Sequence, residues 1–505
     1  MEANEGKYAR IQPEMMNRTM PLEITAEIAL PDYRSEISRL LWVRPTFLPP
    51  ERYIGGGKAE FSGQVLFEVL YTGPDGALYG ADAEEGYAFS VPLEGLAGMQ
   101  AVEIFADPVV DTVISRVTGP RKLSVRCRMH ACVHAYAEKV LETKRKGEGK
   151  EAALCMLSDA VEAGRLLCSA KEEHTLNDTI RTEGEVRVIC ARGSVFLPEA
   201  VPATDEVRCR GEVALTLLLC KEEQSAAPFT LSCRIPFEKP VMLEGVRPDH
   251  QACAVGTVGR VEVAVEEGEI HVTPHLILNA QAQYNEPVTV CRDVFLPDYS
   301  AEYVREKESF WQDGGCCNKH FSISGELPLQ EAEMGEDCEI LDLTAEAEIG
   351  EKAVDGAKIA LSGKLQCHLL CRQGGELCVK DVAFPFRVLP ECGSEGMELT
   401  AQLPQCRVSI RSGKLCATAE LQLAIRDTRP VSADHVREVS FTPAPPQERA
   451  AIELYYPANG ETLWDVAKRY ALSPEALADA NALDADAPAA RDSLSGKSFL
   501  LIPND

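Results

Sequence analysis

The chain has 505 residues, 45% of them hydrophobic and 26% charged, with a formal net charge of −28. That length holds roughly three or four domains with cores of their own, and the composition is that of a folded protein, not a disordered one. So acidic a surface repels phosphate backbones and anionic lipid heads, which removes nucleic acid and membrane surfaces from the default partners.

Residues 1–20, MEANEGKYARIQPEMMNRTM, contain no apolar run of the signal-peptide kind and read as an N-terminal tail. No stretch approaches the roughly 20 apolar residues that span a bilayer, so a cytoplasmic protein without membrane insertion is expected. The 19 cysteines are odd in number and irregularly spaced from Cys127 to Cys416. In a cytoplasmic chain they read as small buried hydrophobes instead of a disulfide framework.

Internal repeats dominate the chain beyond the tail. FSGQVLFEVLY (Phe61 to Tyr71), CRGEVALTLLLC (Cys209 to Cys220) and LSGKLQCHLLC (Leu361 to Cys371) share a glycine followed by alternating apolar positions. Gly63, Gly211 and Gly363 lie roughly 150 residues apart, a domain-sized spacing. Each copy precedes a second strand-like stretch (YAFSVPLEG, TLSCRIPFEKPV, VAFPFRVLP) and, further on, a third (KLSVRCRMHACVHAYA, EIHVTPHLILNAQAQY, KLCATAELQLAIRD). The period is near two and long helical patterns are scarce, so the chain is expected to be mainly β, built of tandem sandwich-like modules.

The boundaries read as module 1 over 21–143, a connector over 144–171, module 2 over 172–290, module 3 over 291–428, a proline-rich linker over 429–451 and a last domain over 452–505. In the connector, Leu154, Leu157, Val161 and Leu166 fall near one helical face, so a short helix is expected. LPDY occurs at Leu30 to Tyr33 and again at Leu296 to Tyr299, an offset unlike that of the glycines. This implies an insertion in module 3 around the polar stretch WQDGGCCNKH, where Cys316 and Cys317 form the expected exposed thiol pair.

The last domain reads as strand, helix, helix, strand (βααβ). Thr462 is placed to cap the first helix, with Asp465 three residues on as a carboxylate capping box, and Leu463, Val466, Ala467 and Tyr470 share one face. Ser473, Pro474 and Glu475 open a second helix, and SFLLIP supplies the closing strand. The run YYPANGETLWDVAKRYALSPEALADANAL with LSGKSFLLIP resembles a LysM domain. The resemblance implies ligand contacts on the loop before the first helix (Asn459, Gly460, Glu461, Thr462, Leu463, with Trp464 beside them) and after the second (Asn481, Ala482, Leu483). Leu463 is the expected apolar anchor.

Upstream, LPDYRSEI, SGQVLFEVLY and SGKLQCHLL resemble SPOCS modules of spore-forming bacteria. Repeated SPOCS modules followed by one LysM domain resemble the SipL-like spore coat morphogenetic proteins. That resemblance implies a mother-cell scaffold recruited to the forespore surface. Its LysM domain would engage the sporulation morphogenetic ATPase there, and its β modules would tether other coat proteins. The rival from another class is a carbohydrate-binding protein whose LysM domain holds N-acetylglucosamine-containing peptidoglycan or cortex glycan.

Catalytic signals are sparse. His130, Cys132 and His134 project from one strand face at a spacing that suits zinc, but a solvated face is the expected reading. Cys367 and Cys371 read as two inward strand positions. Gly55 to Gly57 precede neither a helix nor a Ser/Thr, so a phosphate loop is not expected, and no hydrolase or metalloprotease motif occurs. A non-enzymatic protein without cofactor or metal is the expectation.

Overall fold

Strands form where apolar and polar residues alternate. In Lys58–Thr72, Ala59, Phe61, Val65, Phe67 and Val69 are buried, and residues between them face outward or lie half-buried. The computed structural model describes residues 8–96, 99–146, 154–182, 184–221, 227–266, 268–355, 358–391, 397–445, 453–483, 494 and 499–503. It is almost wholly β, with two short helices near the C-terminus.

The first group of strands is β1 (Tyr8–Ile11), β2 (Glu14–Ala29), β3 (Arg39–Phe47), β4 (Glu51–Gly55), β5 (Lys58–Thr72), β6 (Leu78–Pro92), β7 (Gln100–Gly119) and β8 (Lys122–Glu142), followed by β9 (Lys144–Lys146). The second is β10 (Cys155–Cys168), β11 (Glu172–Thr175), β12 (Asp178–Arg181), β13 (Val186–Ala203), β14 (Glu206–Lys221), β15 (Phe229–Met242), β16 (Gln251–Glu266) and β17 (Glu269–Phe295). The third is β18 (Tyr299–Pro328), β19 (Glu339–Asp355), β20 (Lys358–Gln373), β21 (Glu376–Val388), β22 (Glu398–Arg411) and β23 (Lys414–Pro443).

One topology recurs in all three groups. A meander makes the first sheet: β3-β5-β6, β13-β14-β15 and β19-β20-β21. The last strand, β8, β17 or β23, centres the second sheet and pairs with both the first and the penultimate strand of its group. Apolar residues fill the space between the two sheets of each group, as one cluster in the second and third groups and as two in the first. In the second group the cluster joins Val213, Leu215 and Leu217 to Val272, Leu276 and Leu278. The three repeated sequence stretches occupy equivalent strands, the middle of the meander, its third strand and the last strand.

The repeated glycines share a register position, and at Gly211 it is the Phe196 carbonyl that leaves no room for a Cβ. Gly63, Gly211 and Gly363 stand opposite Tyr87, Phe237 and Phe386 on the neighbouring strand. At Gly63 and Gly363 the aromatic ring lies over the glycine, so an added Cβ would come within 2.6 Å of it. Glycine there admits the ring and closes the sheet surface.

Several expectations are corrected. The 1–20 tail carries β1 and the start of β2, both paired with β8. The 144–171 connector contains no helix among its described residues: β9 joins β23 in parallel and β10 pairs along β17. The 429–451 linker is strand as far as Pro443, with Val436, Val439 and Phe441 buried; residues 446–452 lie outside the described residues. LPDY at Leu30 lies between β2 and β3 inside the first group, whereas LPDY at Leu296 lies at the junction of β17 and β18 between the second and third groups, so the mismatched offset needs no insertion. WQDGGCCNKH is a continuous part of β18, bulged between Asp313 and Gly315.

Polar groups lock the three modules to one another. Arg192 on β13 pairs with Asp342 on β19 and lies 3.5 Å from Glu68 on β5, which also accepts from Trp42 Nε1. All three charged side chains are nearly buried. Gln12 bonds the backbone of Leu166, and Gln283 donates to Asp313, Gly315 O and Asp427 O. Arg426 donates to Tyr136 Oη at 3.1 Å and pairs with Glu398.

Candidate functional site

The C-terminal domain is β24 (Glu453–Tyr455), α1 (Leu463–Arg469), α2 (Pro474–Ala480) and β25 (Leu500–Ile502). Its βααβ order is the expected one, and β24 pairs antiparallel with β25, Leu454 facing Leu501. Thr462 caps α1 as a capping box: its Oγ1 accepts from Asp465 N at 3.2 Å and the Asp465 carboxylate accepts from Thr462 N at 2.9 Å. Ser473 caps α2, with Pro474 in the first turn. Leu463, Val466, Ala467, Leu472, Leu477, Leu500 and Ile502 form the core.

The expected contact residues divide by environment. Asn459 and Gly460 are exposed on the loop before α1, with Gly460 at φ 89, and Ala482 is exposed after α2 at φ 51. Leu494 N donates to Glu461 O at 2.8 Å, which brings the chain after α2 back against the first loop. Glu461 is committed inside the domain. It accepts from Tyr455 Oη and Ala458 N and pairs with Arg469 at 2.5 Å. Burial pushes its carboxyl up, but these donors outweigh burial and hold it below the ordinary range. Asn481 acts as a strand partner, accepting from Leu501 N and donating to Leu501 O and Leu477 O. Leu463 is 1% exposed and belongs to the core, and Leu483 packs against that core, so Leu463 presents no anchor to a partner.

Trp464 is also buried, but outside its own domain. Its ring meets Phe295 edge-on at 4.8 Å, and its Nε1 donates to Asp293 at 2.9 Å. Lys468, one turn on, reaches the same carboxylate at 2.7 Å and lies over the Tyr303 ring. Cys155 and Leu157 of β10 complete this seat. Burial raises the Asp293 carboxyl, yet the Lys468 and Trp464 donors bring it below its ordinary value. The face of α1 is thus occupied by the β body.

One exposed surface has no counterpart among the residues expected from sequence. Leu454, Tyr456, Phe499 and Leu501 are 47%, 68%, 49% and 37% exposed, and the rings of Tyr456 and Phe499 meet at 6.5 Å. They follow the outward face of β24 and β25. The signal was present in ELYY and SFLLIP, where the outward positions are as apolar as the inward ones and a half-solvated strand should carry polar residues.

The strand considered for metal is divided. His130 Nδ1 bonds Asp111 at 2.7 Å, whereas His134 Nδ1 lies 2.9 Å from Glu14 and 3.3 Å from Glu398. The donor atoms of Glu14, His134 and Glu398 all fall within 4.8 Å of one another, a spacing that would admit a cation. Arg426 already pairs with Glu398, and an imidazolium at His134 would face both carboxylates. Burial disfavours the imidazolium, but the two glutamates prevail and raise the histidine above its ordinary value. The expected exposed thiol pair is corrected as well: Cys316 is 4% exposed against Cys253, and Cys317 is half-buried. Cys367 and Cys371 are inward and fully buried, as expected.

No helix among the described residues is long and apolar enough to cross a membrane. No curated protein and no solved structure matches the chain. The family comparison matches residues 458–495, which carry both helices and the loop before them, and that C-terminal segment is a LysM domain.

Proposed function

We propose that the chain is a non-enzymatic scaffold of spore coat assembly. In this reading its LysM domain docks a protein partner, and its three β modules, SPOCS-like in sequence, tether further coat proteins. The observation that carries the reading is the exposed patch of Leu454, Tyr456, Phe499 and Leu501 beside the open loop at Asn459 and Gly460. Exposed aromatic anchors suit a protein surface of modest area. The module order, three β repeats and then LysM, supports the sporulation morphogenetic ATPase on the forespore surface as that partner, with the chain acting in the mother cell. The family match favours a second reading, in which the domain holds N-acetylglucosamine-containing glycan through the loops at 459–463 and 481–483.

The test uses the full chain, immobilised and presented in turn with the ATPase and with soluble peptidoglycan fragments. The variant Tyr456→Ala/Phe499→Ala removes two exposed rings and leaves the core intact. The scaffold reading expects ATPase binding that falls about 30-fold in the variant, the effect of losing a hot-spot anchor of about 2 kcal/mol. Glycan binding with no ATPase binding would replace it by the second reading.

A further inference from the structure

We infer that Cys338, Cys371 and Cys378 form a redox-responsive thiol relay, in which the half-exposed Cys378 is oxidised first and a disulfide is then handed inward to Cys338–Cys371. The three sulfurs come from three segments. Cys371 on β20 stands directly opposite Cys378 on β21 in the antiparallel register, two pairs from the Gly374-Gly375 hairpin turn. Opposed residues point to the same face, with Cα atoms about 4.5–5.5 Å apart, inside the window a disulfide needs. Cys338 ends the turn before β19, and its thiol shares a hydrogen bond with that of Cys371. The neighbouring Asp337 accepts from Gly374 N at 3.2 Å, which fixes this turn against the hairpin tip.

The three thiols differ in access. Cys371 is 0% and Cys338 7% exposed, both in the module core, while Cys378 packs at the core edge and reaches solvent. Burial raises both inner thiols above their ordinary range, Cys371 the more strongly, and the positive charge of Lys380, two residues along β21, offsets only part of that rise. An oxidant from solvent therefore meets Cys378 first, because it is the accessible thiol of the three.

The chemistry balances with hydrogen peroxide as the oxidant. The Cys378 thiolate attacks one peroxide oxygen, which gives a sulfenic acid and releases hydroxide. The Cys371 thiolate then attacks the sulfenic sulfur, expelling the second hydroxide, and the two thiol protons leave with both hydroxides as water. Two thiols and one peroxide thus become one Cys371–Cys378 disulfide and two waters. The Cys338 thiolate next attacks the Cys371 sulfur and releases Cys378 as thiolate, which takes up the proton from Cys338. The product staples the turn at 335–338 to β20 and restores the sensor thiol.

Full-length protein is exposed to hydrogen peroxide, quenched with N-ethylmaleimide at intervals, digested without reductant and read by mass spectrometry. The relay expects the Cys371–Cys378 peptide early and Cys338–Cys371 later. Cys253 and Cys316 touch in the same way but are both buried, and they are expected to remain alkylatable only after unfolding. Cys378→Ser slows the Cys338–Cys371 disulfide about tenfold, since the accessible thiol is gone. Cys338→Ser stops the reaction at Cys371–Cys378. The inference fails if Cys338–Cys371 never forms, if it precedes Cys371–Cys378 in the unaltered chain, or if Cys378→Ser leaves its rate unchanged. Cross-linking confined to Cys253–Cys316, or to Cys367 and Cys406, whose thiols also share a hydrogen bond, overturns it equally. The order of appearance is read on the unaltered chain, so it does not depend on any variant folding.

Discussion

Replacing Asp293 by Asn should loosen the LysM domain from the β body without unfolding either. The carboxylate is 14% exposed and accepts from Trp464 Nε1 at 2.9 Å, Lys468 Nζ at 2.7 Å and Arg305 Nη2 at 3.0 Å. An amide keeps the shape and one acceptor but loses the charge. Hydrogen bonds to charged groups contribute about 1.5–3 kcal/mol. Lys468 is 32% exposed and regains water when released, so the lower part of that range applies. A loss of about 2 kcal/mol shifts the ratio of docked to free domain about 30-fold. The Phe295–Trp464 contact, worth about 1 kcal/mol, remains, so docking weakens but persists. Hydrogen exchange on peptides covering α1 and β10 is the assay, and both should exchange faster in Asp293→Asn. Acid should act in the same direction. The docked pKa lies below the free value of about 4, so the carboxylate stabilises docking above that pH and the effect fades as pH falls through the docked value. Unchanged exchange at both sites in the variant would refute the role given to Asp293.

The inter-module contacts set three further outcomes. Arg192→Met strands Glu68 and Asp342 as buried carboxylates and should cost about 3–5 kcal/mol, seen as a lower melting temperature; replacing all three by apolar residues of similar volume should recover most of it. Gly164→Ala drives a methyl into the ring of Trp311, which is held by its own bond to Gln12 O at 2.7 Å, and should cost about 1–3 kcal/mol in denaturant melts. The glutamates around His134 raise its pKa, so its contribution is full below the unfolded value of about 6.5 and is lost as pH rises through the folded value. His134→Asn should therefore flatten the fall of melting temperature as pH rises above about 6.5.

The parts of the fold that repeat were readable because each repeat obeys the same packing rule. Alternation marked the middle and last strands, and the glycine before each run marked the register of the three copies. The misread segments are those where one module meets another. In β10, Ala163, Gly164, Arg165 and Leu166 are all buried in succession, because the strand has protein on both faces. That erased the period of two and left a false helical spacing. In β18 the polar run around Cys316 looks like a loop, yet its side chains serve neighbouring modules. Gln312 donates to Glu162 O, and Asn318 donates to Leu197 O and Ala254 O. Polar residues paired across a seam are indistinguishable in sequence from polar residues facing water.

The LysM domain divides along the same line between local and distant contacts. Its helices and caps are local, and ETLWDVAKRY with SPEALADA specified them. Which of its faces is open depends on Asp293, Phe295 and Tyr303, roughly 170 residues earlier, which no local pattern connects to Trp464 and Lys468. Once α1 is seated there, the domain has fewer orientations to lose on binding, and its exposed sheet face and loops are presented in fixed relation to the β body. A partner held at Tyr456 and Phe499 would then be positioned against the body without the entropy cost of a freely hinged domain. Undocking through Asp293→Asn should weaken any ligand that bridges both surfaces and spare one held by the domain alone. Binding measured on the intact chain and on that variant therefore distinguishes a scaffold, in which geometry between modules matters, from a domain that acts by itself.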